Sequence, residues 1–248
     1  MKNFTLISLT LLFLTACNAN PTAEPRTSLI KSNINIPSES SQLLLVTTKN
    51  WSTKDGTLQR YQKTNNHWQK IGKRINIVLG RNGLGWGKGL HTTPKDAKYV
   101  KKEGDGKAPA GLFSLGNGFG YSQTNFKMNF PYTSYKVTDH CIDDSRSQWY
   151  NQIIDSKTTS KDYKSFEHMK LRSNLYKYGI TVNHNPSQIA QAGSCIFIHI
   201  KSKSGKGTAG CTAMREDEIT TILKWLKGEE KPLLLQLPKE EMVKVNLN

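Results

Sequence analysis

What most limits the fold is a succession of short apolar, β-branched runs, each closed by glycine, asparagine or proline, and only one clear helical period. Leu43-Leu44-Leu45-Val46-Thr47-Thr48 is the first such run, and Thr57 to Gln62 alternates as a second. Asn65-Asn66 reads as a turn, after which His67 to Ile71 and Ile75 to Leu79 continue a meander. Leu112 to Leu115, Ile180 to Asn183, the strongly apolar Cys195 to Ile200, and Leu233 to Leu237 before Pro238 follow in the same style. Ile219, Ile222, Leu223 and Leu226 stand at i, i+3, i+4 and i+7, so an amphipathic helix is predicted there. Glu216, Asp217 and Glu218 suit its N-terminus, Lys227 its C-terminus, and Gly228 its end. Residues 162–178 read as helix-permissive, with Phe166, Met169, Leu175 and Tyr178 partly periodic and Gly179 as the C-cap. The expected class is mainly β with flanking helices.

The first sixteen residues carry one Lys and an apolar run from Phe4 to Leu14, the make-up of a secretory signal peptide. That run falls short of the roughly 20 residues a membrane-spanning helix needs. It ends in Leu14-Thr15-Ala16-Cys17, which resembles a bacterial lipobox and implies lipidation at Cys17. Asn18 after the cysteine favours the outer membrane over the inner one, facing the periplasm. Residues 17–41 are rich in Pro, Ser, Asn and Thr and read as a tether; residues 42–248 form the domain.

Net charge is +16. In an exported chain without an aromatic-basic RNA motif, nucleic acid is excluded, and anionic wall polymers or lipid headgroups are the expected partners. The five glycines of residues 80–89 fit neither a Walker loop nor a dinucleotide fingerprint. They form a loop in which Trp86 is the best candidate for a cleft wall. His67, His91, His140 and His168 show no metal-ligand spacing, and no metal is expected. Asp143-Asp144 fits a turn or cap better than an acid pair, because neighbours on an extended chain point opposite ways.

Chemistry concentrates near Ile198-His199-Ile200 and Gly207-Thr208-Ala209-Gly210-Cys211. A thiol nucleophile needs a base, which His199 supplies; a nearby helix N-terminus would add modest help. The amides of Gly210 and Cys211 are the expected oxyanion donors.

These residues resemble the YkuD-type L,D-transpeptidase domain, with its His followed by Ser/Thr-His-Gly-Cys. His199 matches the His, Thr208 the Ser/Thr, Gly210 the Gly and Cys211 the nucleophile. Lys107 to Leu115 resembles that family's Thr-Pro-x-Gly-x-Phe strand start, with Ala108 in place of Thr. The chain departs at Ala209, where the family has His, and in the spacing of 12 positions (211 − 199), which is short. The resemblance implies a β-sandwich or barrel that needs no cofactor and acts, as a monomer, on peptidoglycan stem peptides in the bacterial cell envelope. Cys211 would attack the diamino acid–D-Ala bond, in a role in wall building and cell shape. The base His199 would be oriented by a backbone carbonyl at Ile200 or a neighbour. Thr208, His184 and Trp86 are the candidate substrate contacts, with a simple turn of the chain the alternative for His184 and a core or rim position the alternative for Trp86. Water as acceptor would make it an L,D-carboxypeptidase instead, and a peptidoglycan-binding lipoprotein without catalysis is the other alternative. A papain-like or NlpC-type peptidase is disfavoured, because those place the His after the Cys and every His here precedes Cys211. With Cys17 lipidated and Cys211 free, Cys141 and Cys195 are the natural disulfide pair in an oxidising compartment; two buried thiols are the alternative.

Overall fold

The unbroken apolar run at Leu43 needs cover on both faces, and β1 (Gln42–Thr48) has it, lying at the heart of a large sheet. In this computed structural model the described residues are Met1 and 34–242. The signal-peptide and Cys17 readings fall outside them. The described residues 34–242 belong to one compact unit. Its packing starts earlier than the 42 boundary expected: Ile34 and Ser40 are already buried.

The remaining strands follow in chain order. β2 (Asp55–Thr64) and β3 (His67–Val78) form a hairpin whose two-residue turn has Asn65 and Asn66 at φ of 50° and 62°, the left-handed pair a tight hairpin requires. Next come β4 (Leu84–Trp86), the long β5 (Ala108–Gly120), β6 (Tyr132–Ser134), β7 (Asp139–Ile142), β8 (Ile153–Asp155) and β9 (Phe166–His168). Then follow β10 (Tyr178–Val182), β11 (Phe197–Ile200), β12 (Thr212–Met214), helix α1 (Glu216–Trp225), β13 (Leu233–Pro238) and a short α2 (Lys239–Met242).

The main sheet runs β10-β11-β12-β3-β2-β1-β13-β5, and β5 pairs back to β10, so it closes into a barrel. The expected mainly β class with flanking helices holds. Leu43, Leu44, Leu58, Phe113, Ile180, Ile198 and Leu235 fill the core, and α1 adds Ile219, Ile222 and Leu223 against β10 and β11. Each such fully buried side chain is worth about 1.5–3 kcal/mol of transfer free energy.

β7, β8 and β9 form a second, three-stranded sheet in the order β8-β7-β9. The helix expected over residues 162–178 is absent: this stretch holds β9 and a 3-10 turn at Asn174–Tyr176, and Gly179 lies within β10 rather than capping a helix. Of the apolar residues that looked helical, Met169 is buried in the cluster that holds Cys141, Cys195 and Cys211, and Leu175 packs against it. Asp144 is the cap expected of it, accepting from the amides of Arg146 (3.2 Å) and Lys164 (2.9 Å).

Candidate active site

β11 and β12 run parallel, with Ile198 opposite Thr212, His199 opposite Ala213 and Ile200 opposite Met214. Side chains alternate along a strand. Ile198, Ile200 and Met214 fill the barrel core, so Phe197, His199, Cys211 and Ala213 belong to the outer face. The same register, carried back one residue from Ile198 and Thr212, sets Cys211 beside Phe197. The 12-position spacing is therefore the length of a tight parallel crossover that brings thiol and imidazole to one face, two residues apart along the strands. The crossover is pinned at Thr208, whose amide donates to Leu79 O (2.9 Å) and whose carbonyl accepts from Arg81 N (2.9 Å). Below β12, Thr212 Oγ1 donates to Gln236 Oε1 (2.8 Å) and Gln236 Nε2 donates to Pro109 O (2.8 Å). This buried chain of bonds holds the strand that follows the nucleophile to β13 and β5.

The Cys211 Sγ accepts from Phe197 N at 3.3 Å and lies 3.6 Å from Cys195 O. Only 5% of the residue is exposed. Burial pushes the thiol well above the usual thiol range, and the charge of Glu167 adds to this. The Phe197 amide, the Lys101 ammonium and the Tyr176 hydroxyl oppose it. The His199 Nδ1 stands 2.8 Å from the carbonyl of Ile200, the orientation expected of the base. With the proton on Nδ1, Nε2 carries the lone pair. Burial lowers His199 to about 4, so the ring is neutral at pH 7. The resting site thus holds a neutral thiol and a neutral imidazole on one face, the thiol hydrogen-bonded to Phe197 N and the ring to Ile200 O.

Two side chains with no motif in the sequence complete the surroundings. Tyr176 packs its ring edge-on to His199 (5.2 Å between centroids) and to Phe197 (5.6 Å). Its hydroxyl donates to Glu167 Oε2 at 2.6 Å. Burial raises the Glu167 carboxyl above its ordinary value. Glu167 lies on β9 opposite Cys141 of β7, and the small sheet thereby caps the nucleophile. A disulfide joins Cys141 to Cys195, clamping this sheet to the segment that leads into β11, and Cys211 is the free cysteine among the described residues. Beside the clamp is a cavity of about 440 Å³, lined by Asn117, Asn151, Thr181, Asn183, Phe197 and both bridged cysteines.

The other expected residues fall as follows. Gly210 N donates to Thr208 Oγ1 (3.2 Å), and that hydroxyl donates to Cys211 O (2.6 Å). Thr208 therefore braces the nucleophile turn, and the Gly210 amide is occupied in this state. His184 lines the cavity, but its ring is buried, with Nε2 at 3.1 Å from Ala192 O and Nδ1 accepting from Lys88 N (3.3 Å). It holds loops together. Trp86 is no cleft wall: 3% exposed, it packs on Trp51 and His91. The glycine-rich stretch admits β4 into the interior, which explains the misplacement. α1 begins at Glu216, beyond β12, about 15 Å of extended chain from Cys211. A helix dipole acts within its first turn, so it gives the thiol no help.

No protein-family model matches the chain, and no curated protein matches it. Among solved structures it is similar to the helical cell shape determining protein Pgp2 from Campylobacter jejuni, with TM-score 0.44 and 13% identity over 86% of this chain and 55% of that one. It is also similar to Bd1075 from Bdellovibrio bacteriovorus, with TM-score 0.40 and 13% identity over 86% of this chain and 56% of that one. The chain thus spans about half the length of the structures it matches.

Proposed function

We propose that the chain is a cysteine acyltransferase of the L,D-transpeptidase type, acting on peptidoglycan stem peptides in the bacterial envelope. The observation that carries this reading is the shared outer face of β11 and β12. It holds a free thiol and an imidazole whose Nδ1 is tied to Ile200 O, in a chain that otherwise keeps its described cysteines bridged. Cys211 Sγ attacks the carbonyl carbon of the diamino acid, and the thiol proton passes to His199 Nε2. The carbon–nitrogen bond to D-Ala breaks, the amine leaves with that proton, and a thioester remains. An acceptor amine then attacks the thioester carbonyl and gives its proton to His199; the carbon–sulfur bond breaks, the proton returns to the departing Cys211 thiolate, and a new amide is released. Cys211 is 5% exposed, so in this reading the small sheet over it yields to substrate.

Enclosure favours a second reading. A thiol this buried, under a sheet clamped by a disulfide, leaves more room for water than for a second stem peptide as acceptor. Water would make the enzyme an L,D-carboxypeptidase.

The test is intact-mass spectrometry of the protein with tetrapeptide muropeptides, alongside Cys211→Ala. The expected result is an acyl adduct with D-Ala release on the wild type alone. Tripeptide product identifies hydrolysis and cross-linked or exchanged product identifies transfer. Wall binding by folded protein, unchanged in Cys211→Ala and with no adduct or product, would replace the proposal with a non-catalytic wall-binding lipoprotein.

A further inference from the structure

The β2–β3 hairpin stands out from the barrel chemistry. Between Gly56 and Val78 the chain has Arg60, Lys63, Lys70, Lys73 and Arg74 and no Asp or Glu. Lys70, Lys73 and Arg74 are exposed. Lys63 and the half-buried Trp68 are cross-strand partners, with the ammonium 5.8 Å from the ring centroid. The guanidinium of Arg60 lies 5.4 Å from the Trp225 ring. Asp55, at the start of β2, pairs with Lys54, and Glu230, the carboxylate reached by Gln62, is also engaged by Ser41 and Lys227. Among the described residues Lys70, Lys73 and Arg74 form no ion pair, which leaves a basic surface that includes the Lys63–Trp68 pair.

The described chain starts beside this hairpin. Ser41 O accepts from Lys63 N (2.8 Å) and Ser38 O accepts from Lys63 Nζ (2.9 Å). Only 16 residues (33 − 17) separate Cys17 from Ile34. A chain of that length reaches at most about 60 Å. If Cys17 carries lipid, the hairpin is held near the bilayer that receives it. Each Lys or Arg near an anionic leaflet contributes favourably, and tryptophan suits the headgroup level.

We infer that the β2–β3 hairpin is a docking surface for an anionic bilayer, seating the domain on the membrane. The inference does not depend on the acyl-transfer chemistry, and its readout involves no catalysis. The test uses the chain from residue 17 onward with Cys17→Ser, so that only protein surface can hold it to lipid. It is sedimented with vesicles of phosphatidylethanolamine and phosphatidylglycerol, and separately with phosphatidylcholine vesicles. The expected result is binding to the anionic vesicles alone. It should weaken as the screening length falls from about 8 Å at 0.15 M salt to about 3 Å at 1 M.

Lys70→Glu, Lys73→Glu and Arg74→Glu together should lower binding at least tenfold. The control set Lys95→Glu, Lys98→Glu and Lys102→Glu, equally exposed and of equal charge change, should lower it less than threefold. Equal loss in both triple variants would reduce the effect to net charge and overturn the assignment. So would absence of vesicle binding, equal binding to both lipids, or hairpin-dependent binding to purified peptidoglycan in place of vesicles. A thermal unfolding midpoint within a few degrees of wild type confirms that the reversed hairpin is folded, keeping each outcome decisive.

Discussion

Cys211 and His199 are each displaced by burial from the ionisation a working pair needs, and in opposite senses. For the thiol, Glu167 is the second contributor, so its charge acts against thiolate formation. Glu167→Gln should therefore raise the alkylation rate of Cys211 at pH 8 severalfold, read by mass spectrometry with iodoacetamide; an unchanged or slower rate would refute the electrostatic link. Tyr176→Phe loses the bond to Glu167 while keeping the ring against His199, and separates the carboxylate's charge from its packing. His184 and His199 both stand at about 4 in the fold, below the ordinary 6.5. The fold thus prefers neutral rings. That preference is complete above about pH 6.5 and is lost as pH falls from there towards 4. By pH 4.5 the loss should reach roughly 2–3 kcal/mol per ring, at about 1.36 kcal/mol per tenfold in proton affinity. Urea unfolding at pH 7 and pH 4.5 measures it. His184→Gln should show a smaller drop than wild type, and a wild-type midpoint that does not move would be incompatible with buried neutral rings.

Among the elements, the small sheet over the nucleophile is held by one covalent bond, Cys141–Cys195, which closes a separation of 54 residues. Chain-entropy arguments assign such a loop about 4 kcal/mol. Cys141→Ser with Cys195→Ser should cost roughly 2–4 kcal/mol in denaturant unfolding. It should also speed alkylation of Cys211; if the thiol stays as slow as in the bridged protein, the clamp is not what covers it. This sheet is also where the sequence was least readable. The helix at 216–225 announces itself through one apolar stripe, and the hairpin through Asn65-Asn66, because both signals are local. β9 and the 3-10 turn at Tyr176 exist for contacts with residues far along the chain, and nothing local marks them. β5 read as four residues and is thirteen, since Gly111, Gly116, Gly118 and Gly120 interrupt the apolar pattern without interrupting the strand. At the site, Cys211 and His199 were singled out by motif and spacing, and a carbonyl at Ile200 or a neighbour only by the family resemblance. Glu167 and Tyr176 were not, for their relation to the thiol exists only after the small sheet has packed.

For the whole molecule, the barrel's closure joins distant parts of the chain. β13 lies between β1, to which it is parallel, and β5, to which it is antiparallel. Leu233, Leu234, Leu235 and Leu237 are all buried there. A chain ending at Pro232 should show no cooperative unfolding transition by circular dichroism; retention of one would mean the barrel can close without its last strand. The arrangement also sets an order of events. A chain emerging from its N-terminus lays down β1 and β5 long before the strand that bridges them, so two strands wait with open edges until residue 238 has appeared. Such a polypeptide cannot lock into its final shape part-way through synthesis or through a narrow pore. Remaining unfolded during passage, and folding only once the last strand arrives, is thus a timing rule inherent in the strand order.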